Sequence, residues 1–259
     1  MSIRLSRKVA LITGSATGLG KRTAIELAKQ GHHVVLNYVR SEQDAKNTAS
    51  HIEENYGVKA IALQADIANP RDVNRLIQEA LDKMGTIDIL VHNAGPYIKE
   101  QKTFSDYSLD EWNAMINGNL NSCFYLLSEL LPIMQEKGWG RIITLGFDKV
   151  GSAPGWKYRS AYAAAKSGVA SLTRTLALEE AENGITINMV CPGDIVDPYK
   201  EMDIDDVKDI ATEEPIGRKG TGEDIARTIA FLCEEKSGYI TGSIIEVTGG
   251  QDILSKRNR

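Results

Sequence analysis

The chain runs to 259 residues, 42% of them hydrophobic, with a formal net charge of −5 and no Pro/Ser-rich linker, low-complexity tract or internal repeat, so one domain over 1–259 is expected. That charge leaves no basic stripe for nucleic acid, no apolar run approaches the roughly 18 residues of a membrane span, and MSIRLSRKVALITGS lacks a signal peptide's apolar core and cleavage site. The expectation is a cytoplasmic protein without a nucleic-acid or membrane partner; Cys123, Cys191 and Cys233, and His32, His33, His51 and His92, show neither disulfide nor metal-ligand spacing.

Lys8 to Thr13 (KVALIT) reads as a strand, GSATGLG as a glycine-rich turn, and Lys21 to Gln30 as a helix stopped at Gly31. Gly14, Gly18 and Gly20 permit a tight turn, close backbone approach and helix-on-strand packing, so the helix N-terminus can hold a pyrophosphate through its free N–H groups. Ser15, Thr17 and Leu19 share that turn. HHVVLNY is a second strand, and where dinucleotide folds place an acid on the ribose hydroxyls this chain has Tyr38. Arg40 offers a bidentate fork for a 2′-phosphate and Ser41 a further donor, which favours NADPH over NADH; the alternative is that Arg40 is a solvated loop residue.

The pattern repeats with a helix over Glu42–Tyr56, strand VKAIALQAD, a helix over Pro70–Met84 and a strand over Ile87–His92, an alternation that means a parallel sheet covered on both faces. Asp66, followed by Ile67, falls just past its strand, where it either meets an adenine edge or forms an Asx turn. Asn93-Ala94-Gly95 supplies small residues at the ligand-binding edge. One long helical region, Leu109 to Glu136, carries Asn119, which needs a partner if buried. It also shows surplus apolar residues, Phe124, Leu127, Leu130 and Leu131, that suit a subunit interface.

The strand RIITLG leads to Tyr162 and Lys166, one turn apart on a helix read as Ala161 to Asn183. A phenol titrates near ~10 and must drop two to three units, roughly 3–4 kcal/mol, to exchange protons near neutrality. A lysine charge about 4 Å away supplies ~4 kcal/mol at an effective dielectric of about 20, so Lys166 is expected to lower the Tyr162 pKa. Strand ITINMVC and Pro192-Gly193 follow, then Ile195 within an acidic segment, Asp194 to Lys219, whose Asp203, Asp205, Asp206 and Asp209 mark either a lid or a solvated helix face. A helix over Gly222–Glu234 and strand SIIEVTG close the chain.

TGSATGLG at 13–20, HNAG at 92–95, Asn119 in GNLNSCF, Tyr162-AAA-Lys166 and CPG at 191–193 together resemble the short-chain dehydrogenase/reductase family, in its order and spacing over nearly the whole chain. The end, EDIARTIAFLCEEKSGYITGSIIEVTGG, resembles its 3-oxoacyl-(acyl-carrier-protein) reductases, and NYVRS at 37–41 is similar to the NADPH-selecting stretch of pteridine reductases. The resemblance implies a single-domain doubly wound, Rossmann-like α/β fold and a homotetramer. It gives Gly14, Gly18 and Gly20 the pyrophosphate, Asp66 the adenine and Asn93 the adenosine-side ribose region. Tyr162 becomes the proton donor, Lys166 the group that tunes it and binds the nicotinamide ribose, and Asn119 the holder of a relay water.

One departure stands out. Where such reductases end this strand in two serines, the second on the substrate carbonyl, the chain has Gly146-Phe147, and Phe147 neither donates nor accepts. Losing one oxyanion-type donor typically costs ~10²–10³ in rate, so Asp148, or next Ser152, is expected to substitute; pteridine reductases resemble this in placing an aspartate at the serine position. The functional expectation is NADPH-dependent reduction of a ketone or 3-oxoacyl thioester. The alternatives are a C=N reductase of the pteridine type and an NADP(H)-binding redox sensor or partner-binding protein with weak or no catalysis.

Overall fold

Short apolar runs with no polar alternation suit strands covered on both faces. The computed structural model, which describes residues 7–210, 212–252 and 254, shows seven: β1 Val9–Ile12, β2 His33–Tyr38, β3 Ala60–Gln64, β4 Ile89–His92, β5 Gly140–Leu145, β6 Ile185–Pro192 and β7 Ile244–Val247. They form one parallel sheet in the order β3-β2-β1-β4-β5-β6-β7. The pleat of β1 divides the core: Val9 and Leu11 face one apolar layer, Ala10 and Ile12 the other. The second layer is completed by α1 (Gly18–Lys29), α2 (Glu42–Tyr56) and α7 (Gly222–Cys233). The first is completed by α3 (Pro70–Met84), α5 (Ser122–Lys137) and α6 (Ser160–Glu179). The sequence order reverses between β1 and β4, and at such a switch a crevice opens at the carboxyl edge.

Three expectations of local structure change. The long helix is two helices, α4 (Leu109–Ile116) and α5, joined by a π-helical turn over Asn117–Asn121 that carries Asn119; such turns frequently mark functional sites. The helix bearing Tyr162 stops at Glu179, and a separate 3₁₀ turn covers Ala181–Asn183. The acidic segment is no helix but a strap with 3₁₀ turns at Tyr199–Glu201 and Asp205–Val207. Of the apolar residues assigned to an interface, Leu127 and Leu130 are core residues, whereas Phe124 is 63% exposed. No described helix is long and apolar enough to cross a membrane, and among the described residues no group of three or more His, Cys, Asp or Glu is placed to hold a metal ion.

Candidate active site at the carboxyl edge of the sheet

The glycine turn between β1 and α1 is braced by side chains from the neighbouring strands. Gly14 and Gly18 take the left-handed conformation, with φ of 62° and 63°. A Cβ on Gly20 would run into the Gly14 carbonyl oxygen and come within 2.7 Å of Asn93 Nδ2. Asn93 donates through Nδ2 to the Thr13 and Gly14 carbonyls, and the Thr13 hydroxyl receives the amides of Asn93 and Ala94. From β2, Asn37 Oδ1 accepts from Gly14 N–H while its Nδ2 donates to the Ala65 carbonyl. The Ser15 hydroxyl donates to the Ile12 carbonyl and accepts from the Asn37 amide, which braces the turn. Thr13 and Asn37 are bracing residues that sequence reasoning missed; an Asn inside an apolar strand was the available signal.

The turn is an anion cradle. Thr17 precedes α1 with no side-chain cap, leaving the helix's first N–H groups without a local side-chain acceptor. A carboxylate already sits there: Glu201, from the strap, accepts from Gly18 N–H and from Lys21 Nζ, both at 2.7 Å. It stands in for an anion such as a phosphate, and the close-packed glycines around it suit a dinucleotide diphosphate.

At the outer end of β2, Tyr38 is buried while Arg40 and Ser41 are exposed. Ser41 starts α2 without using its side chain as a cap. Asp66 adopts the Asx turn, its Oδ1 accepting from the Ala68 amide, and Ile67 packs into the core.

Tyr162 and Lys166 open onto a cleft of about 710 Å³ together with Leu19, Gly95, Asn119, Pro192, Gly193 and Ile195. Lys166 Nζ donates to the Leu145 carbonyl at 2.9 Å and lies 5.9 Å from the centre of the Tyr162 ring. Burial lowers the Lys166 pKa to about 8. Burial, with Tyr97 and Cys191 adding to it, raises the Tyr162 phenol rather than lowering it. The expected lowering by Lys166 is not realised: its ammonium lies 5.9 Å from the ring centre, and loss of solvent around the phenol sets the direction. Beneath the lysine, His92 bonds to the Ser122 hydroxyl at 2.9 Å and is held neutral, its pKa lowered to about 3 by burial and by the Lys166 charge. Asn119 spends Nδ2 on the Pro96 and Met115 carbonyls, while its buried Oδ1 has no hydrogen-bond partner. That orphaned acceptor sits against Gly95, where a Cβ would collide with it, and is suited to a water.

Beside Tyr162 the site is aromatic. Phe147 is 5% exposed; its ring centre lies 4.9 Å from Trp156 and 6.1 Å from Tyr162, and Tyr97 meets Tyr162 edge-on at 5.1 Å. Asp148 is buried and lines the cleft. Ser152 is not brought there: it is exposed and donates to the Lys149 carbonyl, because a 3₁₀ turn over Val150–Ser152 carries it away. Arg159 was also missed. Its buried guanidinium donates to Tyr97 Oη and to the carbonyls of Lys99, Glu100 and Tyr158, fixing the cleft's outer wall. Nothing local in the sequence marks an arginine whose partners are mostly distant backbone carbonyls.

A braced glycine turn and a Tyr/Lys pair sharing one cleft, where the order of a parallel sheet reverses, define a doubly wound α/β protein of the dinucleotide-binding class. The chain belongs to the short-chain dehydrogenase/reductase family of oxidoreductases; the family profile that matches, over residues 14–252, is described as enoyl-(acyl carrier protein) reductase. The chain is 47% identical over 249 residues to a Bacillus subtilis protein named "Putative oxidoreductase YtkK", covering 95% of this chain and 97% of that one. It is 38% identical over 244 residues to the 3-oxoacyl-(acyl-carrier-protein) reductase FabG of Staphylococcus epidermidis, covering 94% and 98%. A solved structure described as a "putative 3-oxoacyl-reductase" from Bacillus thuringiensis superposes with a TM-score of 0.89 at 45% identity, covering 96% of this chain and all of that one.

Proposed function

We propose that the protein is an NADPH-dependent carbonyl reductase acting on a ketone or 3-oxoacyl thioester, with Tyr162 as proton donor. The observation that carries the reading is that Tyr162, Lys166 and Asn119 share one cleft with Leu19 of the glycine turn and with Pro192-Gly193. Gly14, Thr17, Gly18, Leu19 and Gly20 would hold the diphosphate, Arg40 and Ser41 the 2′-phosphate, Asp66, Ile67 and Asn93-Ala94-Gly95 the adenosine side, and Lys166 with Pro192, Gly193 and Ile195 the nicotinamide side. When bound, the reduced nicotinamide supplies a hydride to the carbonyl carbon.

The residues of the chain do the rest. Tyr162 donates its phenolic proton to the oxygen as negative charge develops there. A phenol that holds its proton more tightly than usual is a weaker donor, yet it still protonates an alkoxide, the conjugate base of a much weaker acid. Lys166 keeps most of its charge at pH 7 with a pKa of about 8, and offsets the phenolate left behind. Asp148, buried beside Phe147 in the cleft, supplies the polar group that the Phe147 side chain cannot. The same residue motivates the second reading, reduction of a conjugated C=N bond. Exposed Phe124, and Leu178 at 82% exposure, support self-association as a homotetramer.

The test is NADPH and NADH oxidation, with parallel binding titrations, against a panel of ketones, acyl thioesters, quinones and pterins. Turnover of a ketone or thioester with NADPH preferred supports the reading. Equal affinity for both cofactors removes the assignment of Arg40 and Ser41. NADPH binding with no substrate turned over leaves the sensor reading in its place.

A further inference from the structure

The strap beyond β6 reaches back across the molecule to the glycine turn, and its point of contact is the anion cradle itself. Glu201 is 183 residues from Gly18 in sequence, yet its carboxylate takes the Gly18 amide on one oxygen and the Lys21 ammonium on the other, each at 2.7 Å. A local cap would serve a helix terminus with far less chain, and Thr17, already in the N-cap position, makes no side-chain cap. The strap is held in place by a second set of contacts. Asp203 is ion-paired to the buried Arg22 of α1, Ile204 N–H donates to Glu223 of α7 at 2.7 Å, and the Lys200 carbonyl presses on Gly222, where any Cβ would collide with it. The stretch leading into this contact, Val196, Asp197 and Lys200, forms part of the wall of the active-site cleft.

We propose that Glu201 is a latch: its carboxylate occupies the place of the dinucleotide diphosphate, so that cofactor entry expels it and frees the strap from the glycine turn, while Asp203 still ties it to Arg22 of α1. The inference rests on the dinucleotide reading of the site. A diphosphate and a carboxylate cannot share the Gly18 amide, because two like charges within a few ångströms repel and each needs the same donor. Lys21 serves either anion in turn, changing partner without leaving the helix's first turns. Burial works to neutralise Glu201, but the Gly18 amide and Lys21 outweigh it and hold its pKa below the usual carboxylate range, so the latch is charged at neutral pH. Since Asp197 and Lys200 sit on the same strap as Glu201, a strap lifted from the turn also reshapes the substrate side of the cleft. The cofactor thereby prepares the site for the second reactant.

Calorimetric titration of NADPH into the unmodified protein, Glu201→Gln and Glu201→Asp, with hydrogen exchange followed over 199–207, tests this. The glutamine keeps the size and loses the charge; the aspartate keeps the charge and withdraws it by one methylene. Both variants are expected to bind NADPH about tenfold more tightly, since a charge-assisted contact no longer competes. In the unmodified protein NADPH is expected to speed exchange of the strap amides, and in both variants they exchange fast before any ligand is added. Equal or weaker NADPH binding by both variants, with the unmodified protein binding normally, overturns the latch and leaves the cofactor reading standing: Glu201 is then a structural tie. Failure of all three proteins to bind NADPH overturns the latch together with the cofactor reading.

Discussion

Two loops leave the carboxyl edge of the sheet toward the same cleft, and they treat the left-handed backbone in opposite ways. In the turn after β1 the residues with positive φ are Gly14 and Gly18, and the turn is clamped by Asn37, Asn93 and the Thr13 hydroxyl. In the loop between β5 and α6 they are Lys149, Ala153 and Tyr158, each carrying a side chain. A left-handed residue with a Cβ costs roughly 1–2 kcal/mol relative to its right-handed form. The first loop places its left-handed residues at glycines and is relaxed. The second stores strain beside the aromatic wall that Phe147 and Trp156 form, and strain of that kind clusters at active sites and ligand clamps.

The comparison is broken most severely at Tyr162, the group on which both halves converge. Tyr162→Phe is expected to lower kcat by on the order of 10³-fold or more while the NADPH dissociation constant moves little. Full activity on a true substrate would sink the mechanism. Asp148→Ala tests the second loop alone: kcat should fall by about 10²-fold, with cofactor affinity again unchanged.

The two loops also differ in how much of them was legible in the sequence. Glycines at 14, 18 and 20 announce a tight turn, and the parallel sheet covered on both faces followed from alternating strand and helix patterns. Tyr162 and Lys166 share a face by helical period alone. The limits of the helix bearing Asn119 were not readable, since a π turn has no composition of its own, and the separate 3₁₀ turn that carries Ser152 outward arises from backbone packing. Nor were the partners of Arg159 and Glu201, which lie far away in sequence and include backbone amides and carbonyls that carry no side-chain signature. The acidic run at 203–209 read equally as lid or solvated face; Asp203 proved to be the ion-pair partner of a buried arginine, while Asp205 pairs with Lys208 at the surface.

Between the loops lies Lys166, and its burial separates stability from activity. Its pKa falls from the ordinary 10.5 to about 8. A fall of that size corresponds to about 3 kcal/mol of stability forgone wherever the buried ammonium must stay charged. Because the folded value lies below the unfolded one, the folded state binds fewer protons between about 8 and 10.5; the penalty is whole below about pH 8 and lifts as pH rises through that window. Lys166→Met removes the charge but leaves the Leu145 carbonyl without its donor, which returns roughly 1 kcal/mol. The variant should be inactive yet about 2 kcal/mol more stable at pH 7, an advantage that shrinks toward pH 10 in urea titrations. A variant less stable at pH 7 would contradict the account.

The smallest effect isolates the backbone itself. Ala153 is exposed, has φ of 49°, and its amide bonds to the Val150 carbonyl, so replacing it with glycine removes one methyl group from solvent and leaves that bond intact. Ala153→Gly relieves the left-handed penalty of about 1–2 kcal/mol and gives back about 0.4–1 kcal/mol through the freer unfolded chain. A net gain of about 0.5–1 kcal/mol follows, which for a chain of this size is a rise of about 1–4 °C in Tm. Gly18→Ala is its mirror image: φ is 63°, and an added Cβ meets nothing nearer than Lys200 Cδ at 3.7 Å, so sterics with neighbours play no part. The same dihedral arithmetic then runs backwards, and Tm should fall by a similar amount. Opposite shifts of matched size would show that the two loops differ in strain rather than in packing; shifts of the same sign would show that their side-chain surroundings decide the outcome.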